Sequence, residues 1–261
     1  MPDGGFAGHP GGGPLGTGLI LLGMLAVTLV WGRVLWYFDD RSSLLPRAVL
    51  FALGYTRRTA DEVRALLLAG LYYGGGLLAS ALFVVAFGLD VSALFSLALD
   101  HPLLVLLGAL AEISLSDLFV SLYCAAAGAG PERFAEMRSI PWMEGLRKLP
   151  DAAVPWGAAA GAAVEELFFR GVLITVLIAR LGFAPAVAVA IAGALFCLQQ
   201  LIQVRTPFQG AVIGAGSLAI SLVGGFLVVH AGSVLPAILC HCAFVVFYLR
   251  RGEAQPRTAR S

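Results

Sequence analysis

Between Gly161 and Gly171 the chain reads GAAVEELFFRG, setting two adjacent carboxylates and an arginine inside an apolar run. Glu166 and Arg170 are four residues apart, the spacing at which a carboxylate and a guanidinium meet on one helical face. Glu165 is rotated from that face by about 100°. The spacing predicts that Arg170 neutralises and holds Glu166, while Glu165 points elsewhere, into a polar cavity. A carboxylate left beside such a cavity has the chemistry of a general base or acid. The plainer alternative is a buried ion pair with one spare glutamate lining a crevice.

Other polar residues stand in comparable surroundings. SVLPAILCHCAFVVFYL places His241 at a depth similar to that of Glu165. The two form a candidate water-activating couple, the carboxylate taking the proton and the imidazole orienting water or stabilising the oxyanion. A histidine there can also serve only as a hydrogen bond between helices. AIAGALFCLQQLIQV supplies Gln199 and Gln200, either as interhelical bonds or as donors lining the site. Glu112 and Asp117, in GALAEISLSDLFVSLY, are five apart and so not on one face. They suit a proton or ion path, or hydrogen bonds to Ser114, Ser116 and neighbouring helices. One glutamate and one histidine are too few ligands for zinc, so neither metal nor cofactor is expected. The four cysteines, Cys124, Cys197, Cys240 and Cys242, have neither disulfide nor CxxC patterning and read as small apolar side chains.

The elements that must position these groups follow from composition. Of 261 residues 59% are hydrophobic and 13% charged, about half the charged share of a soluble domain. Seven apolar blocks emerge, near Leu15–Phe38, Ala65–Gly88, Pro102–Ala127, Ala152–Ala179, Phe183–Val204, Gln209–Val229 and Val234–Leu249. Most are long enough to cross a bilayer as helices. The expected fold is all-α, a polytopic membrane bundle of about seven transmembrane helices. AFGLDVSALFSLALD leaves room for a short interfacial helix, and Trp142 and Trp156 read as interface anchors.

Charge sets the orientation. Linkers 39–64 and 128–151, Arg205 and the tail fall on one side of seven spans and hold 14 of the 17 basic residues. The positive-inside rule then places the N-terminus outside and the C-terminus in the cytoplasm, as for a multi-pass protein of the plasma (inner) membrane. Residues 1–14 read as a flexible lead and 250–261 as a basic cytoplasmic tail. No cleavable signal peptide is evident. Neither a P-loop, a dinucleotide motif nor a nucleic-acid patch is present, so no nucleic-acid partner is expected.

With these residues in place, the chain resembles the CPBP intramembrane glutamic proteases, the family that includes the CAAX prenyl endopeptidases and the bacterial Abi proteins. The EExxxR motif stands at Glu165, Glu166 and Arg170. FxxxH falls on Phe196–Gln200, with glutamine in place of histidine, and HxxxN on His241–Val245, with valine in place of the polar residue. AGSVLPAILCH is similar to the family's GSxxxxIxxH run. The resemblance spans roughly Trp142–Leu249 and implies a protease-like core over 142–249 behind N-terminal transmembrane helices at 15–141. It implies that Glu165 activates water for peptide-bond hydrolysis with His241 assisting, that Gln200 donates a further bond, and that Glu166 and Arg170 support them. The substrate would be a membrane-anchored, possibly lipidated peptide or protein. An inactive relative that binds a peptide or acts as a scaffold is the first alternative, invited by Gln200 and Val245. A proton-coupled transporter using Glu112, Asp117 and Glu165 is the second.

Overall fold

Each apolar block folds as a helix, and the breaks between them carry recognisable stop and start chemistry. The structure is a computed structural model that describes residues 13–40, 44–96, 98–99 and 101–254. The long helices are α1 (Pro14–Asp40), α3 (Ala60–Phe87), α5 (His101–Ala127), α9 (Pro185–Leu201), α10 (Pro207–Ala231) and α11 (Leu235–Ala254). The fourth block forms α7 (Val154–Glu166) and α8 (Ile174–Ala179), joined without a break by a wider, π-helical turn at Leu167–Leu173. Shorter helices are α2 (Leu44–Leu53), α4 (Val91–Leu94) and α6 (Pro141–Arg147), and Pro131–Ser139 forms a 3-10 segment. No β-strand occurs among the described residues.

Local sequence explains the ends. Thr59 and Glu62 form a reciprocal capping box at the start of α3, and Thr206 and Gln209 do the same for α10. Gly232 closes α10 at φ 63°, a left-handed conformation that costs a glycine nothing, and only three residues, Gly232 included, separate α10 from α11. The short helix expected in AFGLDVSALFSLALD forms as α4. The sequence signals no helix in the linker after α1, yet α2 forms there and buries Leu45 and Val49 against Val63 of α3. Residues 1–12 of the expected lead and 255–261 of the expected tail lie outside the described residues, and α11 runs on to Ala254.

The outward faces are apolar. Leu15 is 86% exposed, Leu78 61%, Val85 81% and Leu103 59%, a distribution that in water would leave large bare apolar patches. Among the described residues, four helices, at Pro14–Arg33, Ala60–Phe87, His101–Ala127 and Pro207–Ala231, are long and apolar enough to cross a membrane. The molecule is a multi-pass helical membrane bundle.

Inside the bundle, Trp31 of α1 is the hub of an aromatic core. Its ring lies 5.0 Å from Tyr72, 5.6 Å from Phe168 and 5.8 Å from Phe169, and its Nε1 donates to the Tyr72 carbonyl at 2.9 Å. Gly76 makes this contact possible. A Cβ there would sit 2.5 Å from the Trp31 ring and closer still to Val164. Gly76→Ala is therefore expected to destabilise the bundle by about 1–3 kcal/mol through overpacking. A melting point in detergent equal to the wild type's would contradict that.

One polar segment crosses the end of the bundle that carries the basic linkers. Residues 131–139 are tied to the start of α10 through Glu136. Its carboxylate pairs with Arg133 at 2.8 Å and accepts from the Thr206 hydroxyl at 2.7 Å, and its carbonyl accepts from Gln209 at 2.7 Å. The hydrogen bonds from Arg133 and Thr206 hold the Glu136 carboxyl below its ordinary range. A carboxyl lowered in this way contributes its tie at neutral pH and loses it as pH falls through the lowered value. Glu136→Gln should speed amide exchange across Pro131–Ser139 at neutral pH, and the wild type should reach the same state only in acid. Exchange unaffected by the substitution would refute the tie.

Candidate active site

The polar residues singled out from the sequence converge between α3, α5, α7, α9, α10 and α11, at the inner end of a cavity of about 2010 Å³. Its walls descend to the 131–149 segment, Arg205 and Arg250, so it is continuous with the basic end of the bundle. Glu165, Gln200 and His241 all line it. Their side chains are buried among helices, with Glu165 and Gln200 each 8% exposed and His241 3%.

Glu165 is held by a closed ring of hydrogen bonds. Tyr72 of α3 donates its hydroxyl to Glu165 Oε1. Gln200 Nε2 donates to the same oxygen at 2.9 Å and to Gln199 Oε1 at 2.9 Å. Gln199 Nε2 donates to the Tyr72 hydroxyl at 2.5 Å, closing the ring. Every donor in it is neutral, and the two that reach Glu165, from Tyr72 and Gln200, both act on Oε1. Oε2 takes none of these bonds, on a carboxylate that borders the cavity. Gln200, expected to donate a further bond at the site, instead has both its amide hydrogens committed to Glu165 and Gln199. In this state it orients Glu165 and has no N–H left for a substrate oxyanion.

A second cluster lies behind the first. Arg170 Nη1 stands 3.2 Å from Glu166 Oε1, the expected pair, with the two side chains 1% and 0% exposed. Arg170 also donates to Ser221 Oγ at 3.1 Å and lies 4.2 Å over the Phe196 ring. The approach of α10 depends on Gly224, whose Cβ would come within 3.1 Å of Glu166 Oε2. The Glu165–His241 couple expected from depth is not a direct bond. His241 Nδ1 is 2.9 Å from the oxygen of Glu166 that Arg170 holds. An ionised carboxylate only accepts, so Nδ1 donates and Nε2 is the nitrogen left for the cavity that His241 lines. The reason is rotational: the turn after Glu166 widens, and Glu166 faces both Arg170 and α11 while Glu165 faces α3 and α9.

The remaining expectations divide. Asp117 accepts from the Tyr248 hydroxyl of α11 at 2.7 Å and lines the cavity, an interhelical bond of the kind expected. Glu112 is fully buried and neither carboxylate oxygen has a hydrogen-bond partner, so the expected bonds to Ser114 and Ser116 do not form. Val245 lines the cavity with an apolar side chain. Trp142 borders the cavity and Trp156 is 77% exposed, as an outward anchor would be. No group of three or more histidine, cysteine, aspartate or glutamate residues among those described is arranged to hold a metal. Sequence reasoning missed Tyr72. Its only signal is a phenol within a span, in LYYGGG beside three glycines.

No curated protein and no solved structure matches the chain. Residues 152–247 match the family described as type II CAAX prenyl endopeptidase Rce1-like, a stretch that begins just before α7 and ends within α11, and so takes in Glu165, Glu166, Arg170, Gln199, Gln200 and His241. Residues 152–247 of this helical membrane protein are thus similar to the type II CAAX prenyl endopeptidase Rce1-like family.

Proposed function

We propose that the protein is an intramembrane glutamic endopeptidase that hydrolyses a peptide bond in a membrane-anchored protein or peptide. One observation carries this reading: Glu165 presents a carboxylate oxygen without a protein hydrogen bond to a large cavity, while neutral donors fix the other oxygen. Water between Glu165 Oε2 and His241 Nε2 would lose a proton to Glu165 and attack the carbonyl carbon. Glu166, shared by Arg170 and His241, fixes the imidazole much as a buried carboxylate orients histidine in a hydrolase triad. The domain unit is 142–249, with 15–141 contributing Tyr72 and the cavity wall. The orientation is N-terminus outside and C-terminus cytoplasmic, so the cavity opens toward the cytoplasmic face of the plasma membrane. None of these steps requires a metal.

The test is incubation of the purified chain in lipid with membrane-anchored peptides, prenylated and unprenylated, with products read by mass spectrometry. At least one peptide is expected to be cleaved, and cleavage should persist after chelation. Binding without cleavage would favour the second reading, a peptide-holding scaffold, for which Gln200 and Val245 speak. Cleavage abolished by chelation and restored by zinc would refute metal independence.

A further inference from the structure

Resting on the peptidase reading, we propose that Tyr72 is the proton donor to the leaving amine, supplying from α3 the dissociable proton that an amide at position 200 cannot. The argument begins with what hydrolysis needs. Water gives one proton to the base, and the amine must gain one as the C–N bond breaks. Gln200 cannot ionise, and its N–H groups are both engaged. Tyr72 carries a proton on the oxygen that faces Glu165, lines the same cavity, and is held there by Gln199 and by the Trp31 bond to its carbonyl.

The resting ring is arranged to release that proton at the right moment. While Glu165 is ionised it is a strong acceptor and retains the Tyr72 hydroxyl. Once it has taken the proton of water it is a neutral acid and a weaker acceptor, so the hydroxyl is free to turn to the scissile nitrogen. The phenol proton passes to nitrogen as the C–N bond breaks, and the proton held by Glu165 passes to the phenolate oxygen. Glu165 ends ionised and Tyr72 protonated, as they began. The sum is one water and one peptide bond consumed, one carboxyl and one amine formed. A nitrogen departing as an amide anion is far more basic than a phenolate, so the transfer runs downhill.

The test uses the best-cleaved peptide of the panel and its ester analogue, in which the scissile N–H is replaced by oxygen and the leaving alkoxide depends less on a donor. Wild type, Tyr72→Phe and Glu165→Gln are compared in lipid, with thermal unfolding as a check on folding. Tyr72→Phe is expected to slow amide cleavage about 100-fold or more while slowing ester cleavage about tenfold or less. Equal losses on both substrates would make Tyr72 a residue that only positions Glu165, and would overturn the proposal, as would no loss on either. Incorporation of 3-fluorotyrosine at position 72, which preserves shape and makes the phenol more acidic, should move the alkaline limb of amide cleavage to lower pH. A limb that stays in place would also overturn it. Wild type that cleaves neither substrate, or Glu165→Gln that cleaves both normally, would instead remove the peptidase reading itself.

Discussion

Arg170→Met is expected to destabilise the folded protein by about 3–5 kcal/mol, the cost of leaving a buried charge without its partner. Arg170 and Glu166 are 1% and 0% exposed, so solvent does little to screen what remains. Methionine restores much of the stem's packing against Phe196 but none of its charge. The loss therefore isolates the electrostatic part. Glu166 would then keep only His241, its second oxygen already lacking a partner. Removing both charges should be milder than removing one, since a neutral pair leaves no orphan. Chemical unfolding in detergent of Arg170→Met, Glu166→Gln and the double variant gives the cycle. The double variant should be more stable than Arg170→Met. A loss below about 1 kcal/mol for Arg170→Met would mean that the pair is wetted or dispensable.

Glu165→Gln should produce the largest functional loss. The substitution keeps the shape of the side chain, and the amide oxygen can still accept from Tyr72 and Gln200 in the place of Oε1. What disappears is a group able to take a proton on the cavity side. Loss of a general base typically costs about 100- to 10,000-fold in rate. Folding and peptide affinity should change little, because the ring around position 165 survives. Glu166→Gln has a different signature. Its effect should reach the rate through His241, and it should lower stability as well.

Much of this architecture is legible in the chain. The seven apolar blocks correspond to α1, α3, α5, the α7–α8 rod, α9, α10 and α11, because hydropathy over a span's length is a one-dimensional signal. Glu165, Glu166 and Arg170 stand out for the same reason: charge in an apolar run has few harmless explanations. Partner choice is less accessible. Similar depth brings His241 to the site but not to Glu165, since rotation about each helix axis decides which carboxylate it meets. The wider turn at Leu167–Leu173 adds to that rotation without any periodic signal in ELFFRGVL. Tyr72 belongs to a helix outside the matched domain, and nothing local distinguishes it from Tyr73, whose hydroxyl caps the Gly157 carbonyl at 2.6 Å. Glu112 is the converse case. Its presence is plain in the sequence, while its lack of any hydrogen-bond partner is visible only in three dimensions.

The most direct measurement is single-turnover cleavage of a membrane-anchored peptide by wild type and Glu165→Gln in the same lipid, with peptide affinity measured in parallel. Glu165 acting as the base predicts cleavage by wild type, a fall of about 100- to 10,000-fold in the variant, and affinity little changed. Cleavage by the variant at the wild-type rate would contradict it, and would move the chemistry away from the carboxylate around which the cavity is built.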